Sequence, residues 1–337
     1  MKSSKIIFPF ILMMIGNTVM ASTTKTNLSV NTRVDIKYAY CKIKANEVPG
    51  VNNRDAVLNG TPAGTTGTNS LLALENGSNI FTIEMASSEW FSKNKRTENE
   101  RNIFNKNAYC TADVTFVDYN QGKVGSLGKI NIKINDDGIP EAYLNNEIDQ
   151  SVIKKTNKEY TQKVTNNKLR DVPENEYPNG MTIYQFNKEI VINGIPEWKW
   201  VTSEPYTGTQ QQIDELKMAY ENLWMEFNNK NLDGIKKTLA IALDAWAIGS
   251  DSTADKIFAS HQFDVIFKRR NAKMVPIDWN NFEVVSFNKG RLVRMVYKED
   301  PDLSPLSMSY ISTNGAEGVY TFSPIFSLID GKFVPVI

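Results

Sequence analysis

The chain has 337 residues, with 38 basic side chains, 38 acidic ones and 41% hydrophobic content. That length suggests two domains, and the apolar fraction is enough for real cores, so wholesale disorder is excluded. Balanced charge argues against a dedicated nucleic-acid binder, which needs excess Lys and Arg to displace phosphate counterions. One histidine and two cysteines exclude multi-His and multi-Cys metal sites, so no metal and no cofactor are expected.

Residues 1–21 read as an address. Lys2 and Lys5 precede an apolar run from Ile6 to Gly16, and Val19-Met20-Ala21 offers tolerated residues before a cut. This three-part pattern predicts a cleaved secretory signal peptide. The run has 11 residues, against the roughly 20 that span a bilayer. No later stretch is longer, so no membrane span is expected after cleavage. Losing Lys2 and Lys5 leaves 36 basic and 38 acidic residues, a net charge of −2. The short Lys-led leader points to a periplasm, with secretion beyond the cell as the alternative. An oxidising compartment favours pairing of an even number of cysteines, and only one pairing exists, Cys41 with Cys110. Such a bridge would close a loop of about 70 residues and stabilise by roughly 4 kcal/mol on the chain-entropy model.

Residues 28–202 read as a β-rich domain, most simply an antiparallel sandwich. Period-two alternation predicts a strand over 35–41, and further strands over 79–85, 110–119, 129–134, 182–186 and 188–192. Residues 46–70, dense in Gly, Pro, Asn and Thr, predict a long surface loop. Residues 92–107 predict an exposed excursion, and 145–179 a long loop or a short exposed helix. Trp198, Lys199 and Trp200 alternate and predict a strand with both indoles on one face.

Residues 207–337 read as an α+β domain. Ile213, Leu216, Tyr220, Leu223, Trp224 and Phe227 share one helical face. Asn231 caps a second helix carrying Leu232, Ile235, Leu239, Leu243 and Trp246, which Gly249 ends as the left-handed residue. Ser252-Thr-Ala-Asp255 resembles the capping box of a third, short helix. Strands follow at 263–268, 282–287, 291–297, 306–311, 319–322, 326–329 and 333–337.

This order over residues 209–337, with the Trp224/Phe227 and Trp246 faces and the closing Phe326-Ser-Leu-Ile-Asp-Gly-Lys-Phe-Val334 hairpin, resembles the NTF2-like (SnoaL-like) cone fold. The resemblance implies helices packed on a curved antiparallel sheet, often with a pocket between them. It carries over no functional residue.

Trp224, Phe227, Trp246 and His261 are the candidate pocket residues. His261 lies near Asp255 and Asp264 in sequence, which suggests a His–carboxylate base; a helix-end or packed junction residue is the plainer reading. Trp198 and Trp200 suggest a sugar or peptide platform, or a packed domain interface. Lys268, Arg269 and Arg270, with Lys273, Lys289, Arg291 and Arg294, suggest a basic docking surface; a charged sheet edge is the plainer reading. No nucleophile elbow and no phosphate loop occur. These features favour an exported, non-enzymatic protein that binds another protein, such as an immunity protein against a periplasm-targeted toxin or an envelope accessory factor. The alternative is a ligand-binding or enzymatic pocket in the second domain.

Overall fold

A computed structural model describes residues 28–337. The expected signal peptide, residues 1–21, lies outside them. The first half contains β1 (Leu28–Lys37), β2 (Ala39–Ala45), β3 (Val48–Asn52), α1 (Arg54–Leu58), β4 (Ala63–Asn69), β5 (Gly77–Ser87), α2 (Glu98–Arg101), β6 (Tyr109–Asp118), β7 (Lys123–Ile134), β8 (Pro140–Leu144), β9 (Glu147–Ile148), β10 (Val152–Glu159) and β11 (Met181–Ile192). These strands form two antiparallel sheets, in the orders β4-β1-β6-β7-β8-β9 and β10-β11-β5-β2-β3.

The alternation at 35–41 is real, but the chain breaks it at Tyr38, whose φ is +55°. That single left-handed residue sends β1 into one sheet and β2 into the other. Val30, Val34 and Ile36 of β1 and Cys41, Ile43 and Ala45 of β2 then point into one shared core. Thr32, fully buried beside them, is satisfied by the Ser70 hydroxyl at 2.6 Å. The sheets approach closely at Gly128, where a Cβ would come within 2.6 Å of Ile190. The 46–70 loop folds into β3, α1 and β4. The polar 145–179 stretch supplies β10, an edge strand whose side chains are mostly exposed. Edge position explains the missing apolar alternation there.

The second half contains α3 (Gln210–Asn228), α4 (Leu232–Thr238), α5 (Ala240–Gly249), α6 (Ala254–Ser260), α7 (Phe263–Phe267), β12 (Arg270–Met274), β13 (Phe282–Phe287), β14 (Leu292–Tyr297), β15 (Ser307–Ile311), β16 (Glu317–Thr321), β17 (Phe326–Ile329) and β18 (Lys332–Pro335). The whole is α+β. Asn231 caps α4 by accepting a hydrogen bond from the Gly234 amide. The expected second helix is broken at Leu239 into α4 and α5. Its left-handed terminator is Asp251, φ +49°, and not Gly249. Thr253, one residue after the expected cap, caps α6.

Residues 263–267 form a helix where a strand was expected. Phe263, Ile266 and Phe267 lie at i, i+3 and i+4, so a helical turn buries all three. The strands divide between two sheets, β12-β15-β16 and β13-β14-β17-β18. Between β14 and β15 the chain carries Pro301 and Pro305, which lack the N–H that a continued ladder needs.

The two halves share packing. Leu243 of α5 belongs to the second core, while Ile241, Ala245 and Trp246 of the same helix pack on the first. Phe287, Leu292, Ile325 and Val336 are also members of the first core. Among the described residues, no helix is long and apolar enough to cross a membrane.

Candidate functional site

Of the expected pocket residues, Phe227 and His261 meet in one aromatic cluster with Trp224 on the same core, and Trp246 lies apart. Phe227 is buried at the centre of an aromatic cluster, with ring centroids 5.0 Å from Phe263, 5.9 Å from Phe267 and 5.7 Å from Phe322. His261 caps the end of α6 and stacks on Phe263 at 5.1 Å, with its edge against Phe322 at 5.4 Å. Burial lowers its pKa. Its two sequence-near acids are engaged elsewhere: Asp255 with Lys236 at 2.7 Å and Asp264 with Lys268 at 3.3 Å. Trp224 donates its indole N–H to the Val275 carbonyl at 2.9 Å. Trp246 lies on the other core and lines a separate apolar cleft of about 160 Å³ with Ile43, Leu72, Ile325 and Ile337.

Trp198 and Trp200 sit on a turn, not a strand, and are 4% and 1% exposed. Each indole donates to a backbone carbonyl of the 65–75 region: Trp198 to Leu71 at 3.1 Å and Leu74 at 3.0 Å, Trp200 to Leu72 at 3.1 Å. With both rings buried and both N–H groups satisfied, neither offers a surface platform. The basic patch is divided. Lys268 pairs with Asp264, Arg269 lies 4.3 Å from the Tyr310 ring centroid, and Arg270 is exposed on β12. Arg291 is drawn into the junction between the halves, and Arg294 is half-buried near the Phe287 ring.

What the structure does assemble is a seam. Between β10 and β11, residues 160–180 cross as a strap onto the second half. Val164 packs there with Phe282, Tyr297 and Leu303. Asn281 donates its side-chain amide to the carbonyls of Asn166 and Asn167, and Asn167 donates to Asp278 at 2.8 Å. That last bond is the main cause holding the Asp278 carboxyl below its ordinary range. Arg170 donates its Nε to Asp300 at 2.8 Å and its Nη1 to Glu176 at 3.0 Å.

Tyr177 is the centre of this network. Its hydroxyl contacts Asp300 and lies 2.8 Å from Asp302 Oδ2. Its ring centroid lies 3.8 Å from the guanidinium carbon of Arg54, which in turn donates to Asp302 at 2.7 Å. Burial pushes the Tyr177 phenol well up, and the charges of Asp302 and Asp300 add to that against Arg54. The phenol is therefore a protonated donor, not a base. The result is an alternating chain across the seam: Arg170, Asp300, Tyr177, Asp302, Arg54.

Two open clefts flank the strap and meet at Tyr177. The first, about 640 Å³, has Lys93, Lys95, Arg101, Lys163 and Lys168 in its wall, against Glu174 and Glu299. The second, about 740 Å³, has Asp55, Asp171, Glu176, Asp300, Asp302 and Glu317, against Arg170 and Lys273. The 41–110 part of the chain gives residues 92–95 and Arg101 to the first cleft and Asp55 to the second. Charge is thus sorted to opposite sides of one strap. Sequence reasoning missed all of these residues except Lys273. The available signal was length: some 20 residues without periodicity inside a compact domain are uncommon unless they serve a purpose. No family model matches this chain, and no curated protein or solved structure matches it either.

Proposed function

We propose that this chain is a non-enzymatic protein that binds a partner protein at the two clefts beside the strap. The observation carrying this reading is the segregation of charge. Five cations against two acids face one cleft, and six acids against two cations face the other. Clefts of opposite sign side by side suit a protein surface of complementary pattern, which steers encounter and fixes register. Small-ligand pockets are instead mostly apolar, with few polar groups. The leader-like first 21 residues support placement in the periplasm. An immunity protein against a periplasm-targeted toxin, or an envelope accessory factor, is the concrete form of the reading. Two antiparallel sheets with one core support a sandwich description of the first half. Helices α3, α4 and α7, sharing a core with antiparallel strands, support keeping the NTF2-like description of the second.

The test is capture from lysate and culture supernatant of the same species, with the processed protein as bait. One stoichiometric protein partner is expected. Exchanging the exposed Lys93 and Lys95 for Glu should weaken that complex by about tenfold or more, the equivalent of roughly 1.4 kcal/mol, and leave the unfolding midpoint unchanged. Asp171→Lys in the opposite cleft should do the same. A complex indifferent to both reversals would remove the clefts from the interface.

A further inference from the structure

The two cysteines lie in opposite sheets. Cys41 is in β2, opposite Met85 of β5. Cys110 is in β6, opposite Ile36 of β1 and Ile132 of β7. Both point into the shared core and are fully buried. Both are free cysteines. Strands β2 and β6 belong to different sheets, yet some of their Cα atoms come within 8 Å of one another.

We propose that Cys41 and Cys110 form an inter-sheet disulfide in the mature protein, closing the segment of chain that carries residues 92–95 and Arg101 of one cleft and Asp55 of the other. The oxidant is a small-molecule disulfide or a thiol–disulfide oxidoreductase. The thiolate of one cysteine attacks the oxidant's disulfide and releases one of its thiols. The second cysteine then attacks the mixed disulfide and releases the other. Two protons and two electrons leave the cysteine pair, and the oxidant is reduced to two thiols.

The order of events follows from burial. Removal from water, and then the neighbouring Cys110, raise the Cys41 pKa well above its ordinary value, and the thiolate is the attacking form. The bond therefore forms while the sheets are still apart. Once the core closes, the bond is sealed from reductant. The segment from 41 to 110 contains Asp55 of the acidic cleft and Lys93, Lys95 and Arg101 of the basic one. A covalent tie between its ends limits how far those walls can spread in partly unfolded states. The proposal is independent of what the clefts bind.

The experiment uses protein recovered from cells of its own species, denatured and alkylated with iodoacetamide before any reductant is added. The expected product carries no alkyl group and is lighter by two hydrogen atoms than the same protein after reduction. After reduction it takes up two alkyl groups. A second measurement covers the role in the fold. Reductant should leave the bond intact in the native protein, reach it once denaturant opens the core, and lower the refolded midpoint. Cys41→Ala paired with Cys110→Ala should lower the midpoint likewise and become insensitive to reductant. Two alkyl groups on the unreduced protein, or one midpoint for oxidised and reduced forms, would overturn the proposal.

Discussion

Arg291 holds Glu75 through two parallel hydrogen bonds, Nη1 to Oε2 at 2.8 Å and Nη2 to Oε1 at 2.5 Å. Glu75 follows the 3₁₀ turn Leu71–Ala73 of the first half, and Arg291 begins the β14 approach in the second. The same guanidinium donates to the Val201 carbonyl at 2.9 Å and lies 5.3 Å from the Trp200 ring centroid. Both side chains are less than one-fifth exposed. A planar fork on a carboxylate, with its remaining donors used, is the favourable geometry for an ion pair so far from water.

Arg291→Ala leaves that carboxylate enclosed and unpaired. It should cost about 3 kcal/mol, read as a lower urea midpoint with unchanged slope. Arg291→Lys should recover only part of this, because an ammonium cannot bridge both oxygens. A loss under about 0.5 kcal/mol for the alanine variant, the range of exposed pairs, would show that the halves do not depend on this contact.

Trp200 is the neighbouring test. Replacing it by Phe keeps most of the apolar volume but removes the donor to the Leu72 carbonyl. The orphaned acceptor should cost about 1–3 kcal/mol. Trp200→Ala adds a cavity and should cost about 3–5 kcal/mol in total. Urea unfolding of the two variants separates the hydrogen bond from the packing. Equal losses for Phe and Ala would mean that the indole packs loosely.

These tryptophans also show what the sequence could and could not convey. Hairpin strands such as β13 and β14 were legible because alternation and turn residues agree. The α3 face was legible because Leu216, Tyr220, Leu223 and Phe227 repeat at helical spacing and all are buried. Trp198 and Trp200 also alternate, yet they lie on a turn, because what fixes them is a set of three carbonyl acceptors more than 120 residues away. The run at 263–267 is five residues long, too short for periodicity to separate strand from helix. The strap was illegible for a related reason. Arg170 and Tyr177 acquire their meaning from Asp300 and Asp302, at separations of 123 to 130 residues, and no local pattern records that.

His261 is the only histidine of the chain, so its titration can be isolated. Burial lowers its pKa in the folded protein below the ordinary 6.5. Between the folded value and 6.5 the unfolded chain binds more protons. Stability from this residue is therefore fully present above 6.5 and is lost as pH falls toward the folded value. Urea midpoints measured from about pH 5 to 7.5 should rise with pH up to about 6.5 and level off above it. His261→Phe keeps an aromatic ring on Phe263 and removes the proton site, so the rise should disappear. A variant with an undiminished rise would assign the slope to other groups.

Tyr177 tests the strap itself. Tyr177→Phe keeps the ring over Arg54 and removes the hydroxyl that serves Asp300 and Asp302. Asp300 retains Arg170, and Asp302 retains Arg54, so each carboxylate keeps one charged partner. The loss should therefore be modest, about 1–2 kcal/mol. Tyr177→Ala also uncovers the Arg54 guanidinium, whose side chain is only 6% exposed, and should cost more. The two variants should differ most locally. Hydrogen exchange of residues 160–180 should quicken slightly in the Phe variant and strongly in the Ala variant, while β5 and β11 amides stay protected, because the strap can leave the second half without opening either sheet. If strap and sheet amides instead exchange together in both variants, the strap is part of the global fold and cannot move alone to admit a partner to the clefts.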